Sequence, residues 1–294
     1  MGEIKFMKAL VFGEIIWDVY PDEKVIGGAP FNFSAHLAHL GSHAILISAI
    51  GNDMLGGLAL DEMKRHGIDS SLMQTVSYPT GTCIVTLNEE KIPTFSVASN
   101  VAYDHIPFTL KLSEQIRKAN ADIFYFNTLI QRNCESRATL QKILDCQPAK
   151  DIFCDVNLRP DCFDKESLLL CLQKATFVKI SDEESHFLYD LGILSGAERK
   201  EHFAKVLAKH FPNLKLVLYT LGKKGSEVYE CATGKLYSSG TPDAVKVVST
   251  VGAGDCFGAT FLHEYLTGND IPKAIQAATQ RSNIVVSHKE AVPF

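Results

Sequence analysis

Residues 249–262, STVGAGDCFGATFL, set a carboxylate, Asp255, directly behind Gly252, Ala253 and Gly254 and at the head of an apolar run with helical spacing. The first turn of a helix leaves several N–H groups without intrahelical partners, and the helix dipole concentrates positive charge there. Residues as small as Gly252, Ala253 and Gly254 let a ligand oxygen come close to those N–H groups, which makes the stretch a candidate anion site. A carboxylate beside such a site repels an anion, unless it faces a hydroxyl that must lose its proton to attack the group the amides hold. That is the layout of phosphoryl transfer, where positioning and charge stabilisation dominate and a weak base suffices. A plainer alternative stands beside it: aspartate is a favoured N-cap, and Asp255 could simply start a helix.

Other chemistries lack their residues. No G-x-x-x-x-G-K-[ST] occurs, and GAGDCFG is one residue too long for a dinucleotide fingerprint and lies far from the first strand. A G-x-S-x-G serine elbow is also missing. Net charge is −5, from 29 Lys and Arg against 34 Asp and Glu, with no long basic block, so a nucleic-acid or anionic-membrane partner is not expected. Without 18 consecutive apolar residues or a signal-peptide cleavage pattern, the sequence reads as that of a cytoplasmic protein. The eight cysteines form no C-x-x-C pair and read as reduced thiols. His36, His39 and His43 lack a nearby carboxylate or cysteine to complete a metal set and read as helix-surface residues.

Such residues need a scaffold, and the apolar runs supply one. KALVFGEII (8–16), HAILISAIG (43–51), DIFYFNTLI (122–130), DIFCDVN (151–157), ATFVKIS (175–181) and LKLVLYTLG (214–222) are short and nearly continuous in hydrophobicity. Strands buried on both faces of a parallel sheet read this way. Helical patterns lie between most of them; in FNFSAHLAHLG, Phe33, Leu37 and Leu40 recur at i, i+4 and i+7 before Gly41. The alternation predicts an α/β fold with a doubly wound, mainly parallel sheet flanked by helices. TGTCIVTLNEEKIPTFSVAS (80–99) instead alternates with period two around a turn-like NEEK, and GEIIWDVYPDEKVIGG (13–28) is strand-like with a turn at PDEK. These inserts, at about 13–30 and 78–103, suggest a small β-sheet lid over the strand ends of one domain spanning 1–294.

With these pieces in order, the chain closely resembles the ribokinase-like (PfkB) family of carbohydrate kinases. TVGAGDCFGA is similar to the C-terminal signature of that family and GGAPFNFSAHLAHLG (27–41) to the N-terminal one. IGNDMLG (50–56), DVNLRP (155–160), VKISDEE (178–184) and TLGKKGS (220–226) fall between them in the family's order. The opening GEIIWDVYP, the form GGAP, and the segments PTGTCIVTLNEEKIPTF, NVAYDHIPF and LIQRNCESRATL resemble fructokinases within it.

The resemblance implies an ATP-dependent sugar kinase, most like one that makes fructose 6-phosphate from D-fructose. Its alternatives are a kinase for another sugar or a sugar acid such as 2-keto-3-deoxygluconate, and a non-catalytic sugar-binding regulatory homologue. Asp255 would be the base, with the amides of Gly252, Ala253 and Gly254 as the anion hole. Asp18, Gly28 and Asn32 would hold sugar hydroxyls, and Arg159 would reach substrate or phosphate oxygens. Asn157, Thr220, Gly222 and Gly225 match nucleotide-binding positions, and Glu184 matches the glutamate that organises Mg²⁺ through water. Trp17, beside Asp18, would either pack the lid or meet the sugar. The family often pairs exposed lid strands between subunits, which allows a homodimer here. Three departures stand out: Ser249 replaces an aspartate that in relatives helps bind K⁺, Ser181 replaces an asparagine, and Glu290 stands where glycine is common. The first puts dependence on K⁺ in doubt.

Overall fold

The computed structural model describes residues 6–87, 93–241 and 244–293. Its strands are β1 (Lys8–Phe12), β2 (Ile16–Val19), β3 (Lys24–Gly27), β4 (His43–Gly51), β5 (Met73–Val76), β6 (Gly81–Leu87), β7 (Pro93–Val97), β8 (Ala121–Asn127), β9 (Ala149–Asp155), β10 (Phe177–Ser181), β11 (Leu216–Thr220), β12 (Ser226–Glu230) and β13 (Lys235–Ser238). Its α-helices are α1 (Ala29–His39), α2 (Met54–Arg65), α3 (Leu110–Ala119), α4 (Cys134–Asp145), α5 (Lys165–Lys174), α6 (Asp182–Asp190), α7 (Phe203–His210), α8 (Ala253–Gly268) and α9 (Ile271–Val286).

Nine strands form the main sheet in the order β13-β12-β11-β10-β9-β8-β1-β4-β5. Neighbours from β11 to β5 run parallel, and β12 and β13 close one edge as an antiparallel hairpin. Side chains alternate between two cores because the strand period is two. Leu10, Phe12, Phe124, Phe126, Val178 and Ile180 join the core that packs α3 to α7. Ala9, Val11, Ile123, Tyr125, Phe177 and Leu218 join the core that packs α1, α2, α8 and α9. Burial on both faces is why these strands read as unbroken apolar runs.

The two strand-like inserts meet in a second sheet, β3-β2-β6-β7. The β2–β3 and β6–β7 pairs are antiparallel, and β2 lies parallel to β6 in the register Asp18↔Cys83. The NEEK turn expected between β6 and β7 lies outside the described residues. One apolar run proved to be two elements: KALVFGEII leaves the main sheet after Phe12 and enters the small one at Ile16. Glu14 sits at that joint, 2% exposed. Of the three histidines expected on a helix surface, His36 is instead buried in α1 against the Ala291 carbonyl, His39 meets His66, and His43 starts β4 and meets Asp69. Among the described residues no helix is long and apolar enough to cross a membrane.

Candidate active site

Parallel strands point their C-terminal ends to one side of a sheet, and ligands of open α/β folds bind there. On that side a cleft of about 710 Å³ opens between the main sheet and the small one. The small sheet contributes Asp18, the start of α1 contributes Gly28 and Asn32, the segment after β9 contributes Asn157 and Arg159, and the start of α8 contributes Gly252, Gly254 and Asp255.

Two glycines set the helix starts. Gly28 caps α1 with φ +99°, and a Cβ there would lie 2.8 Å from the Glu14 carbonyl oxygen. Gly252 caps α8 with φ +79° in the left-handed region that favours glycine. The cap of α8 is therefore Gly252, and no side chain caps the helix. Asp255, three residues on, is free of that duty: its Oδ2 accepts a hydrogen bond from Asn32 Nδ2 at 2.8 Å. Ala253 N–H donates to the Thr250 carbonyl at 3.3 Å, while among the described residues the amides of Gly252 and Gly254 have no protein acceptor. Asn32 is 3% exposed, and its Oδ1 is buried without a partner among the described residues, which leaves an acceptor for a bound hydroxyl.

Buried charge surrounds Asp255. Burial pushes its carboxyl above the usual range, opposed first by the Lys179 ammonium, then by the Asn32 hydrogen bond and by Arg159. Lys179 lies beside Asp155 on neighbouring strands in direct register, its Nζ 2.7 and 2.8 Å from the two carboxylate oxygens. Burial raises Asp155 to about 6 against the pull of Lys179. Burial likewise lifts Asp18 to about 6, with Arg159 pulling down.

Glu14 accepts from Asn127 Nδ2 at 2.9 and 3.0 Å and from the Ala29 amide at 3.3 Å, tying the end of β1 to β8 and to α1. Desolvation raises its pKa from 4.5 to about 7 despite those bonds. A carboxyl whose folded pKa is raised takes up a proton on folding, so its stabilising contribution is complete below 4.5 and lost as pH rises through 7. Glu14→Gln removes that dependence. Its stability relative to the parent should improve by roughly 2–3 kcal/mol between pH 5 and pH 8, measured by urea unfolding. Parallel pH profiles for the two proteins would refute a Glu14 titration near 7.

The remaining expected residues fall in distinct places. Asn157 adopts φ +40° and turns the chain after β9. Arg159 is exposed to the cleft with no carboxylate in ion-pair range among the described residues, and its Nη1 donates to the Leu158 carbonyl at 3.2 Å. Glu184 stands behind the cleft wall, accepting from Leu158 N at 2.7 Å, Ser181 N at 2.8 Å and Ser181 Oγ at 2.9 Å. Ser181 thus serves as the N-cap of α6 in a capping box. Thr220, Gly222 and Gly225 form the end of β11 and the turn after it, outside this cleft, and Ala253, the first residue of α8, does not line it either. Ser249 Oγ accepts from Val251 N at 3.2 Å, and Glu290 lines the cleft. Trp17 packs away from it, 6% exposed, its Nε1 donating to the Leu55 carbonyl at 3.0 Å.

Glu14, Asn127, Asp155 and Lys179 were not singled out from the sequence. Lys179 carried a usable signal, a lone cation inside a strand otherwise apolar on both faces, where lysine is almost never found unpaired. Glu14 follows β1 and Asn127 ends β8, both at the C-terminal ends of buried strands, where this kind of sheet places its site. Which of these polar residues meet each other depends on strand order.

Comparison with known proteins gives the following. A family model described as pfkB family carbohydrate kinase matches residues 8–293. An ATP-dependent 6-phosphofructokinase of Thermoanaerobacterium thermosaccharolyticum is 28% identical over 288 residues, covering 91% of this chain and 84% of that one. The probable fructokinase-3 of Arabidopsis thaliana is 26% identical over 313 residues, covering 96% and 86%. The crystal structure of the fructokinase from Vibrio cholerae O395, bound to fructose, ADP and calcium, superposes with a TM-score of 0.79 at 22% identity, covering 98% of this chain and 95% of that one. At that identity the likeness speaks for the fold.

Proposed function

Because the chain belongs to the pfkB family of carbohydrate kinases, and so transfers phosphate from ATP to a sugar hydroxyl, we propose that its acceptor is D-fructose and its product fructose 6-phosphate. The observation that carries this reading is the charge in the cleft. Of its three cations among the described residues, Lys179 is paired with Asp155 and Lys289 with Glu23, which leaves Arg159 as the one without a carboxylate partner among those residues. One free guanidinium facing Asp18 and Asp255 suits a neutral polyol and a single transferring phosphoryl group. A sugar that already carries phosphate would need a second cationic contact. This favours an unphosphorylated sugar over the substrate of the 6-phosphofructokinase relative.

In this reading Asp18, the Gly28 backbone and the orphan Oδ1 of Asn32 receive sugar hydroxyls, and Arg159 meets phosphate oxygens. Asp255 takes the proton of the acceptor hydroxyl as its oxygen bonds to the γ-phosphorus. The bond from that phosphorus to the bridging oxygen breaks, and ADP leaves with the electron pair. The Gly252 and Gly254 amides hold the transferring oxygens, and the small sheet acts as a lid that excludes water. Asn157, Thr220, Gly222 and Gly225 serve the nucleotide. Exposed apolar Val247, Val248 and Ile284 support a purine site near the start of α8. A divalent ion such as Mg²⁺ neutralises phosphate charge when bound. Glu184 has one acceptor position beyond its three protein donors, which fits contact through water with a metal carried mainly by the nucleotide. Ile84, exposed on β6, leaves the small sheet open to a homodimer.

The test is ADP release with fructose, ribose, glucose, 2-keto-3-deoxygluconate and fructose 6-phosphate, each with and without K⁺. Fructose is expected to give the highest kcat/KM, with little change on removing K⁺, because Ser249 offers no carboxylate for that ion. A higher kcat/KM on the sugar acid or the sugar phosphate would overturn the choice of substrate. Binding of sugar without turnover would favour a regulatory homologue.

A further inference from the structure

The Lys179–Asp155 pair is a costly feature to place in a sheet core. Lys179 is 7% exposed and Asp155 1%. Taking two such charges out of water costs several kcal/mol each, and a well-packed apolar pair in their place is often neutral or more stabilising. Stability therefore does not account for it, and its placement suggests what does. Register puts Lys179 and Asp155 on the face of the sheet that packs α8. The lysine stem passes under that helix, its Cδ 3.6 Å from where a Cβ at Gly258 would stand, and its Nζ is 3.2 Å from where one at Gly254 would stand. The ammonium thus lies directly against the first turn of α8. A helix N-terminus is already positive, so a cation there gains nothing from the helix. Its favourable partners are carboxylates, Asp155 below and Asp255 in the first turn itself.

We propose that Lys179 is a positioning residue of the phosphoryl transfer: held by Asp155 beneath the first turn of α8, its ammonium keeps Asp255 a carboxylate at neutral pH. The proposal rests on the reading of Asp255 as the base, which must be ionised to accept a proton. The groups facing Asp255 divide clearly. Glu14 from the β1–β2 joint, Asp155 from β9 and the Tyr125 hydroxyl from β8 gain nothing from its negative charge, which raises the pKa of each. Asn32 from α1 offers one hydrogen bond, and Arg159 a charge that water screens. Glu184 of α6 acts on Lys179, raising its pKa together with Asp155 and Asp255. Lys179 is the buried cation of the set and the largest influence opposing the burial of Asp255.

The experiment follows the Asp255 carboxyl directly, by ¹³C NMR of the full-length protein labelled at aspartate, with the Asp255 signal assigned by its loss in Asp255→Asn. In Lys179→Met the titration midpoint should rise by about one to three pH units. Lys179→Arg, which keeps the charge, should stay close to the parent. An unmoved or lowered midpoint in a folded Lys179→Met protein overturns the proposal. Should that variant not fold, with Asp155 left unpaired, Lys179→Gln, whose amide can still donate to Asp155 but carries no charge, is expected to show a rise of the same sign. No rise there is equally fatal. The acidic limb of the kcat–pH profile should move with the NMR midpoint. If the parent phosphorylates no sugar, the reading of Asp255 fails, while the NMR midpoint still decides the role of Lys179.

Discussion

Asp255→Asn should lower kcat for sugar phosphorylation by about 10²- to 10⁴-fold, the usual worth of a positioned general base, with a much smaller change in KM. The substitution is nearly isosteric. Asn32 Nδ2 donates to Oδ2 of Asp255 at 2.8 Å, and an asparagine oxygen can accept the same bond. The start of α8 does not depend on the carboxylate, because Gly252 is the cap and no side chain bonds the first-turn amides. Burial opposes the charge on Asp255, so its removal relieves a desolvation cost, and thermal unfolding should show no large loss of stability. The sugar contacts proposed for Asp18 and Asn32 remain, which is why binding should survive. A variant that keeps more than about a tenth of the parental kcat would remove Asp255 from the role of base. One that loses kcat only through unfolding would leave that role unsupported and point to a structural contribution.

Gly252→Ala is expected to fail through geometry. The residue adopts φ +79°, and a Cβ there would stand 2.6 Å from both the carbonyl oxygen and the Cβ of Ala291 and 2.7 Å from its Cα. These are mainly backbone atoms of the C-terminal segment, so no side-chain rotation relieves the clash. The cap must move, and with it the Gly252 and Gly254 amides proposed to hold the transferring phosphoryl group. Removing one donor of such a hole costs about 10² to 10³ in kcat, and a comparable loss is expected here. Overpacking adds about 1–3 kcal/mol of destabilisation. Gly268→Ala, at the far end of the same helix, is the control: nothing lies within 4 Å of its added Cβ. It should leave kcat unchanged and stability equal or slightly greater. If Gly252→Ala were as active as Gly268→Ala, the anion hole could not be built from these amides.

The two cases also mark how far the linear chain carries the reading. Asp255 and its glycines could be recognised as a site for moving charge because small residues, a carboxylate and a helix pattern were contiguous. The same stretch left open whether Asp255 was a cap. Only the backbone conformation answers that, since the cap turned out to be Gly252 and a hydrogen bond from Asn32, 223 residues away in sequence, claims the carboxylate. Trp17 shows the same limit: its neighbour Asp18 faces the cleft while Trp17 turns to the Leu55 carbonyl, as successive strand residues must.

Local periodicity determined the α/β alternation, the mainly parallel sheet and the two strand-like inserts, because burial on two faces or one writes itself into adjacent residues. Asp255 was marked by its own neighbours, whereas Asp18, Asn32 and Arg159 were singled out by resemblance to the pfkB family. Tertiary structure decided what strand order and register alone can decide. The two inserts join as one small sheet, the run from Lys8 to Ile16 divides between two sheets, and Glu14 meets Asn127. Asp155 faces Lys179 beneath Asp255. A buried charge is tolerated only beside its partner, and that partner lies one strand over, at a distance in sequence that no local pattern encodes.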